Sequence, residues 1–196
     1  MNSNIFCDIN LKTEHLIIRP FKPADAGQLH SILSQPKVVE FLPEDVMTLE
    51  EVRNIIEWFQ TCYRQNTLKK IVKWTLGIIW DKTSQVIGWC GLGPLDFNSK
   101  ETELFCGLSE SYWGRGIAAE ACRALLDYTF TNIELTRIVA VVDPENLQSR
   151  KLIEKLGMQL ERHVRGLPEE FRHYEGCLFY SLIDMRRFAG VNRENQ

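Results

Sequence analysis

The chain has 196 residues, of which 44% are hydrophobic and 25% charged, and its formal net charge is -3. These proportions are typical of one globular domain with a hydrophobic core, and they exclude collagen-like, coiled-coil and disordered chains. The slight excess of acidic residues gives no overall basic surface for nucleic acid. We therefore expect a single domain over residues 1–196 that binds no nucleic acid.

The six cysteines are scattered and form no Cys-x-x-Cys pair, so their spacing does not predict a structural zinc site. The N-terminal segment lacks the basic and apolar regions of a secretory signal. No apolar run approaches the ~20 residues that a membrane span needs. These features predict a metal-free protein of the reducing cytoplasm that does not associate with membranes.

The first half of the chain predicts a strand, two helices and then a sheet. The strand is expected at residues 14–20, and Pro23 then opens a helix with one apolar face. Thr48 and Glu51 form a capping box at the start of the second helix. Three β-rich runs follow, at residues 72–80, 86–92 and 102–108.

The second half predicts alternating strands and helices. A glycine-containing turn leads into a helix over about residues 116–130, and later elements are expected at 137–142 (strand), 146–156 (helix), 159–165 (strand) and 175–183 (strand). The order β-α-α-β-β-β-α-β-α-β-β predicts an α/β or α+β sandwich around one mixed sheet.

The turn before the long helix is the segment that predicts chemistry. Gly114 and Gly116 allow a backbone bend that directs successive N–H groups into one concavity, and the helix adds its free first-turn N–H groups and the positive end of its dipole. Such a site suits a phosphate or pyrophosphate, to which Arg115 could add a contact. The turn fits neither a Walker A loop nor a Rossmann fingerprint. On these residues alone, a turn without a ligand remains the alternative.

The residues around this turn resemble the acetyl-CoA-binding segment of the GNAT acetyltransferases, and most of all its branch of ribosomal-protein N-terminal (Rim-type) acetyltransferases. The family pattern Gln/Arg-x-x-Gly-x-Gly/Ala is met by Trp113, Gly116 and Ala118, with the Trp that the branch often has. Residues 11–20 resemble the opening strand of the branch, and residues 146–158 resemble its Asn-x-x-Ser and Glu-Lys-Leu-Gly segment. The three matches occur in family order.

The resemblance implies a GNAT-like fold, with a mixed, mostly antiparallel central sheet flanked by helices and two strands splayed apart to admit acetyl-CoA. The strand before the turn would bind the pantetheine arm through its backbone, and the turn would bind the pyrophosphate. For Asn146 a plain helix N-cap is the alternative, and the two roles are compatible. The implied cofactor-binding residues are Cys106, Gly107, Leu108, Trp113, Gly114, Arg115, Gly116, Ile117, Ala118, Ala119, Asn146 and Ser149.

The implied reaction is transfer of an acetyl group to a primary amine, which must be neutral when it attacks. Glu103 is the candidate base, because it matches the family's Glu and lies on the strand beside the proposed thioester; a solvated surface carboxylate is the alternative. Relatives place a Tyr that protonates the leaving group where this chain has Ile153. We expect Ser149 to replace it by hydrogen-bonding the sulfur rather than by donating a proton outright, with Tyr180 a weaker candidate that is expected in the core.

The expected acceptor is a protein N-terminal α-amine that attacks directly in a ternary complex. The alternatives are a small amine such as a polyamine or an aminated antibiotic, a non-catalytic acyl-CoA sensor, and a covalent route through Cys106. Residues 35–47 and 166–174 are the expected walls of the acceptor side. Glu44, Asp45, Glu169 and Glu170 could attract a cationic amine there; carboxylates that simply face solvent are the alternative. A homodimer is left open.

Overall fold

The computed structural model describes residues 4–42 and 46–185. Glu44 and Asp45, which we considered as part of an acceptor wall, lie outside the described residues. The helices are α1 (Ile5–Asp8), α2 (Ala26–Leu33), α3 (Pro36–Val39), α4 (Leu49–Gln65), α5 (Ile117–Asn132) and α6 (Leu147–Lys155). The strands are β1 (Leu11–Lys12), β2 (Leu16–Pro20), β3 (Trp74–Trp80), β4 (Gln85–Leu95), β5 (Asn98–Leu108), β6 (Arg137–Val142), β7 (Gln159–His163) and β8 (Leu178–Ile183).

One sheet of eight strands organises the molecule, in the order β1-β2-β3-β4-β5-β6-β8-β7. Neighbouring strands are antiparallel except β5 and β6, which run parallel and, within the described ranges, pair only at Glu103 and Val139. β5 continues to Leu108 with its other edge still paired to β4. The carboxyl ends of β5 and β6 therefore separate, and the mixed, mostly antiparallel sheet implied by the resemblance is confirmed.

Helices cover both faces of this sheet. On one face, Leu104 and Leu108 of β5 are buried in the same hydrophobic cluster as Leu125 of α5. On the other face, Phe21 lies over Gly77 of β3 and packs against α4. Because cross-strand partners point to the same side of a sheet, the α4 face is also the face of the Glu103 side chain.

Most predicted elements are confirmed, and the best agreement is at the capped helices. At the start of α4, the Thr48 hydroxyl accepts from the N–H of Glu51 at 3.3 Å, and the Glu51 carboxylate accepts from the N–H of Thr48 at 2.7 Å. β4 and β5 are longer than predicted, because they continue to a tight hairpin between Leu95 and Asn98. The short elements α1, β1 and α3 were not predicted.

A membrane-spanning helix is not found among the residues described, since none of their helices combines the length and the apolar character that a bilayer requires.

Candidate active site

Two glycines shape the loop between β5 and α5. Gly114 (φ +70°) and Gly116 (φ +80°) adopt the left-handed conformation, and Gly116 is the N-cap of α5. The indole N–H of Trp113 donates to the Leu108 carbonyl at 2.8 Å and so fixes the base of the loop. None of the hydrogen bonds among the described residues uses the backbone N–H groups of residues 114–119. These donors are available to an anion.

Two cationic side chains flank the loop. The Arg115 guanidinium lies 5.4 Å from the ring centre of Trp80 and 5.3 Å from that of Tyr112. Lys155, in the last turn of α6, places its Nζ 3.9 Å from the position that a Cβ on Gly116 would take. A helix N-terminus disfavours a nearby cation, and no carboxylate in the described ranges lies within 4.0 Å of this ammonium. The arrangement therefore fits an anion placed between Lys155 and the helix.

The acidic residue in the first turn of α5, Glu120, is held by the β1–β2 turn. One carboxylate oxygen of Glu120 accepts from the Thr13 hydroxyl at 2.5 Å and from the N–H of His15 at 2.9 Å, and the other lies 3.0 Å from Nδ1 of His15. Burial acts to raise the pKa of Glu120, but these hydrogen bonds outweigh it and hold the pKa below its usual value. Glu120 thus fastens the β1–β2 turn to α5, and its carboxylate is directed to that turn.

Glu103 lies where β5 and β6 begin to separate. Its Oε1 accepts a hydrogen bond from the N–H of Val141 at 3.2 Å, a donor beyond the one paired position of the two strands. Burial raises the pKa of Glu103 to about 7; that hydrogen bond and the charge of Lys73 lower it, and the charge of Asp96 raises it. A carboxylate with a pKa near neutral pH is suited to accept a proton from an attacking amine.

The separation of the strands leaves one edge of β5 open. Beyond Glu103, residues 104–108 pair with β4, and within the described ranges they have no pairing with β6. Alternate N–H and C=O groups of a strand point to opposite sides, so part of this backbone faces the gap. An extended ligand with amide groups, such as a pantetheine arm, can bind there as an added strand would.

The side chain of Cys106 faces away from the gap, towards α5. It interacts with the thiols of Cys90, its partner on β4, and Cys122 on α5, and these contacts and burial raise the pKa of Cys122. A nucleophilic thiol needs a neighbouring cation or imidazole, and Cys106 contacts none among the described residues. The geometry favours a packing role for this side chain.

The start of α6 lies at the open end of the gap, because α6 follows directly on β6. The side-chain oxygen of Asn146 accepts from the N–H of Ser149 at 3.0 Å, so the N-cap role is confirmed, while no hydrogen bond in the described chain uses the Ser149 hydroxyl. Ile153 is only 5% exposed, so an apolar side chain fills the position for which the resemblance implied a Tyr in relatives. Tyr180 is buried in the core and donates to Glu154 at 3.3 Å.

Two segments border the site at the ends of β5. The side-chain oxygen of Gln35, which precedes α3, accepts from the N–H of Glu110 at 2.9 Å, just beyond the carboxyl end of β5. At the other end, Phe97 of the β4–β5 hairpin packs 5.1 Å from Tyr174, whose hydroxyl donates to Asp96 at 2.7 Å. These contacts hold the β7–β8 loop over the face of the sheet that carries the Glu103 side chain.

Two side chains of this region were not predicted. Lys155 belongs to the Glu-Lys-Leu-Gly segment that resembles the family, but the sequence gives no sign that it reaches the loop after β5. Lys73 precedes β3 and comes near Glu103 only through the pairing of three strands. The types of both residues are common on surfaces, so no local signal distinguishes them.

Comparison with known proteins agrees with this geometry. Residues 15–159 match the family model described as an acetyltransferase (GNAT) domain. The chain is 32% identical to an uncharacterized N-acetyltransferase, p20, of Bacillus licheniformis, over 94% of this chain and 97% of that protein. It is 27% identical to YdaF of Bacillus subtilis (strain 168), which is named as a candidate ribosomal N-acetyltransferase, over 90% of this chain and 94% of that protein.

A solved structure with the same fold contains coenzyme A. The structure of RimL, a ribosomal L7/L12 α-N-protein acetyltransferase in complex with coenzyme A, superimposes with a TM-score of 0.72 at 17% identity, over 89% of this chain and 98% of that one. No group of side chains among the described residues could hold a metal ion. The glycine loop, the gap between β5 and β6 and the matched family model have one common explanation: the chain belongs to the GNAT family and is an acetyl-CoA-dependent N-acetyltransferase.

Proposed function

We propose that this protein acetylates the α-amine of a protein N-terminus, by direct attack of the amine on acetyl-CoA in a ternary complex. The observation that carries the proposal is Glu103, a carboxylate at the separation of β5 and β6 whose pKa burial raises to about 7. The candidate ribosomal activity named for YdaF supports a protein N-terminus as the acceptor.

On this proposal, acetyl-CoA is held along its whole length by described residues. The N–H groups of residues 114–119 and the ammonium of Lys155 would hold the pyrophosphate. The open edge of residues 104–108 would align the pantetheine arm, and a backbone N–H of this strand would polarise the thioester carbonyl. The acetyl group would then lie between Glu103 on β5 and Ser149 on α6.

The proposed reaction forms one C–N bond and breaks one C–S bond, with a stated acceptor for each proton. Glu103 accepts, directly or through water, the proton that the amine loses as the new C–N bond forms. Ser149 donates a hydrogen bond to the sulfur, which keeps the electron pair of the broken C–S bond and takes up a proton from solvent. The products are the acetylated amine and free coenzyme A, and Glu103 returns its proton to water.

The first experiment is a calorimetric titration of the protein with acetyl-CoA. We expect micromolar binding, and we expect Gly116→Glu to weaken it roughly a hundredfold, since the new carboxylate would repel the pyrophosphate. Gly166→Glu is the matched control, because Gly166 is also left-handed (φ +73°) and is exposed, with open space at its Cβ position. Equal binding by wild type and Gly116→Glu would contradict the proposed pyrophosphate site.

The second experiment measures release of coenzyme A with a library of tripeptides that carries every N-terminal residue. Peptide-dependent release, with the acetyl group located on the α-amine by mass spectrometry, is the expected result. Binding of acetyl-CoA without turnover of any peptide would contradict the proposed acceptor.

A further inference from the structure

A lysine lies beside the candidate base on the same face of the sheet. The side chain of Lys73 crosses Gly93, with Cδ 2.9 Å and Nζ 3.5 Å from the position of an ideal Cβ on that glycine. Gly93 is the cross-strand partner of Glu103. Since directly opposed residues place their Cβ atoms about 5 Å apart, Lys73 occupies the neighbouring position to the Glu103 side chain.

The path of this lysine is fixed at both ends. Asn66 is 6% exposed; its side-chain amide donates to the Lys73 carbonyl at 3.0 Å, and its side-chain oxygen accepts from the N–H of Lys73 at 3.3 Å. At the other end, Nζ lies 4.2 Å from the ring centre of Phe105. The missing side chain of Gly93 leaves the room through which the lysine passes.

The ammonium of Lys73 and the carboxylate of Glu103 share this face without touching. No carboxylate in the described ranges lies within 4.0 Å of the Lys73 ammonium, although the residue is partly buried. The Glu103 carboxylate turns towards Val141 on β6, away from β4. The site thus presents a hydrogen-bond acceptor on β5 and, over the neighbouring strand β4, a cation with no described carboxylate within 4.0 Å.

We propose that Lys73 binds the carbonyl or carboxylate oxygen next to the attacking amine and so selects the α-amines of amino acids and peptides over polyamines and aminoglycosides. This inference rests on the proposed function, whose acceptor class it deepens. The α-amine can donate to the hydrogen-bond acceptor of the site, Glu103, and the carbonyl next to this amine can accept from the cation, Lys73. The additional ammonium groups of a polyamine would be repelled by Lys73.

The same charge assists the chemistry of an α-amine. A cation close to an amine disfavours its protonated form and lowers its pKa. An α-amine titrates near pH ~8 in water, so a small decrease leaves most of it neutral, whereas the amines of polyamines are more basic. Lys73 therefore favours the less basic class of acceptor both by contact and by charge.

The test compares acceptor preference in five proteins with saturating acetyl-CoA. The wild type and the variants Lys73→Met, Lys73→Arg, Gly93→Ala and Lys69→Met are assayed with the peptide library, spermidine and kanamycin. Two small substrates are compared: the amino-acid amide of the preferred N-terminal residue, and the amine that has the same side chain but lacks the carboxamide. The readout is the kcat/KM of the first divided by the kcat/KM of the second. This ratio is unaffected by a change in the pKa of Glu103, which Lys73→Met also causes.

The wild type is expected to prefer the amide and to use spermidine and kanamycin poorly. Lys73→Met is expected to lower the ratio at least about tenfold, mainly through KM, while Lys73→Arg stays within about threefold of wild type. Gly93→Ala is expected to act like Lys73→Met, because its methyl group displaces only the flexible lysine. Lys69→Met, which removes an exposed lysine paired with Glu134, is expected to behave as wild type.

Three outcomes would overturn parts of this scheme, and they differ from one another. A ratio unchanged by Lys73→Met and Gly93→Ala contradicts the role of Lys73 and leaves the proposed function intact. A wild-type preference for spermidine or kanamycin contradicts the proposed acceptor, and the role of Lys73 with it, but leaves acetyl transfer intact. Binding of acetyl-CoA without acetylation of any amine contradicts the proposed function and the inference with it.

Discussion

Glu103 has two tasks, one structural and one chemical. The separation of β5 from β6 would leave the N–H of Val141 without a partner, and an unsatisfied buried donor costs about 1–3 kcal/mol. The Glu103 carboxylate accepts this hydrogen bond and, on our proposal, also accepts the proton of the amine. Replacement by Gln keeps an oxygen for Val141 and removes the base, so it separates the two tasks.

We predict that Glu103→Gln removes a pH dependence from turnover. In the wild type, kcat/KM should rise with pH through about 7, because the pKa of Glu103 is about 7 and only the carboxylate accepts a proton. The variant should lose this rise and roughly a hundredfold or more in rate, while a second rise near pH ~8 from the acceptor amine remains. Steady-state kinetics between pH 5.5 and 9 measure both; an unchanged rise near pH 7 would exclude Glu103 as the base.

Single residues differ in how well the sequence reveals them. Glu103 and Ser149 stand in short motifs, so a resemblance to the family is enough to make them candidates. Lys73 and Lys155 have no such motif, since one reaches Glu103 across Gly93 and the other reaches the loop after β5 from another helix. Such tertiary proximity cannot be read from the local sequence.

At the scale of elements, positive charge accumulates at the N-terminus of α5. Free N–H groups, the helix dipole, Arg115 and Lys155 all contribute, and Glu120 is engaged by Thr13 and His15. The loop and α5 alone would lack the charge of Lys155, because this residue belongs to α6. Their assembly needs α6 to pack against α5, which the hydrogen bond from Arg123 to the Lys155 carbonyl at 2.9 Å supports.

We predict that Lys155→Glu weakens acetyl-CoA binding about tenfold, which corresponds to about 1.4 kcal/mol. The new carboxylate would lie near the proposed pyrophosphate position instead of the ammonium. Lys151→Glu is the matched control, because Lys151 is an exposed residue one turn earlier on the same helix. Calorimetry at low and high salt measures the effect; equal affinities of the two variants would show that Lys155 does not contact the anion.

Elements with local signals could be predicted and the others could not. α4 has a capping box and an apolar face in its own sequence, so its start at Leu49 agrees with the prediction. α1, β1 and α3 have two to four residues, too few to show a period. The separation of β5 from β6 was expected only from the resemblance to the family, since strand pairing depends on residues far apart in the chain.

At the scale of the whole molecule, two carboxylates give the stability opposite pH dependences. Burial raises the pKa of Glu103 to about 7, so the native state binds more protons than the unfolded state between about pH 4.5 and 7. Stability therefore falls as pH rises through this window. Hydrogen bonds from Arg137 and Ser181 lower the pKa of Glu161 to about 2, so stability falls as pH decreases from about 4.5 to 2. Glu161 is partly exposed, and its contribution is correspondingly screened.

We predict that Glu103→Gln reduces the loss of stability above pH 5. Urea unfolding of the wild type should show a lower free energy of unfolding at pH 8 than at pH 5, by at most about 3 kcal/mol from this group. The difference should shrink in the variant and persist in Glu57→Gln, an exposed control on α4. If Glu103→Gln keeps the full wild-type difference in the free energy of unfolding between pH 5 and pH 8, ionisation of Glu103 costs the folded protein little free energy.

The gap between β5 and β6 also makes the stability of the protein depend on the concentration of acetyl-CoA. In the described part of the chain, one backbone pair joins the strands β1 to β5 with the strands β6 to β8. A ligand bound along this seam would bridge the two halves of the sheet in the native state alone. By mass action, a donor concentration a hundred times its Kd adds about 2.7 kcal/mol to the free energy of unfolding. Under this scheme, when acetyl-CoA becomes scarce, more of the protein opens and becomes available to proteases.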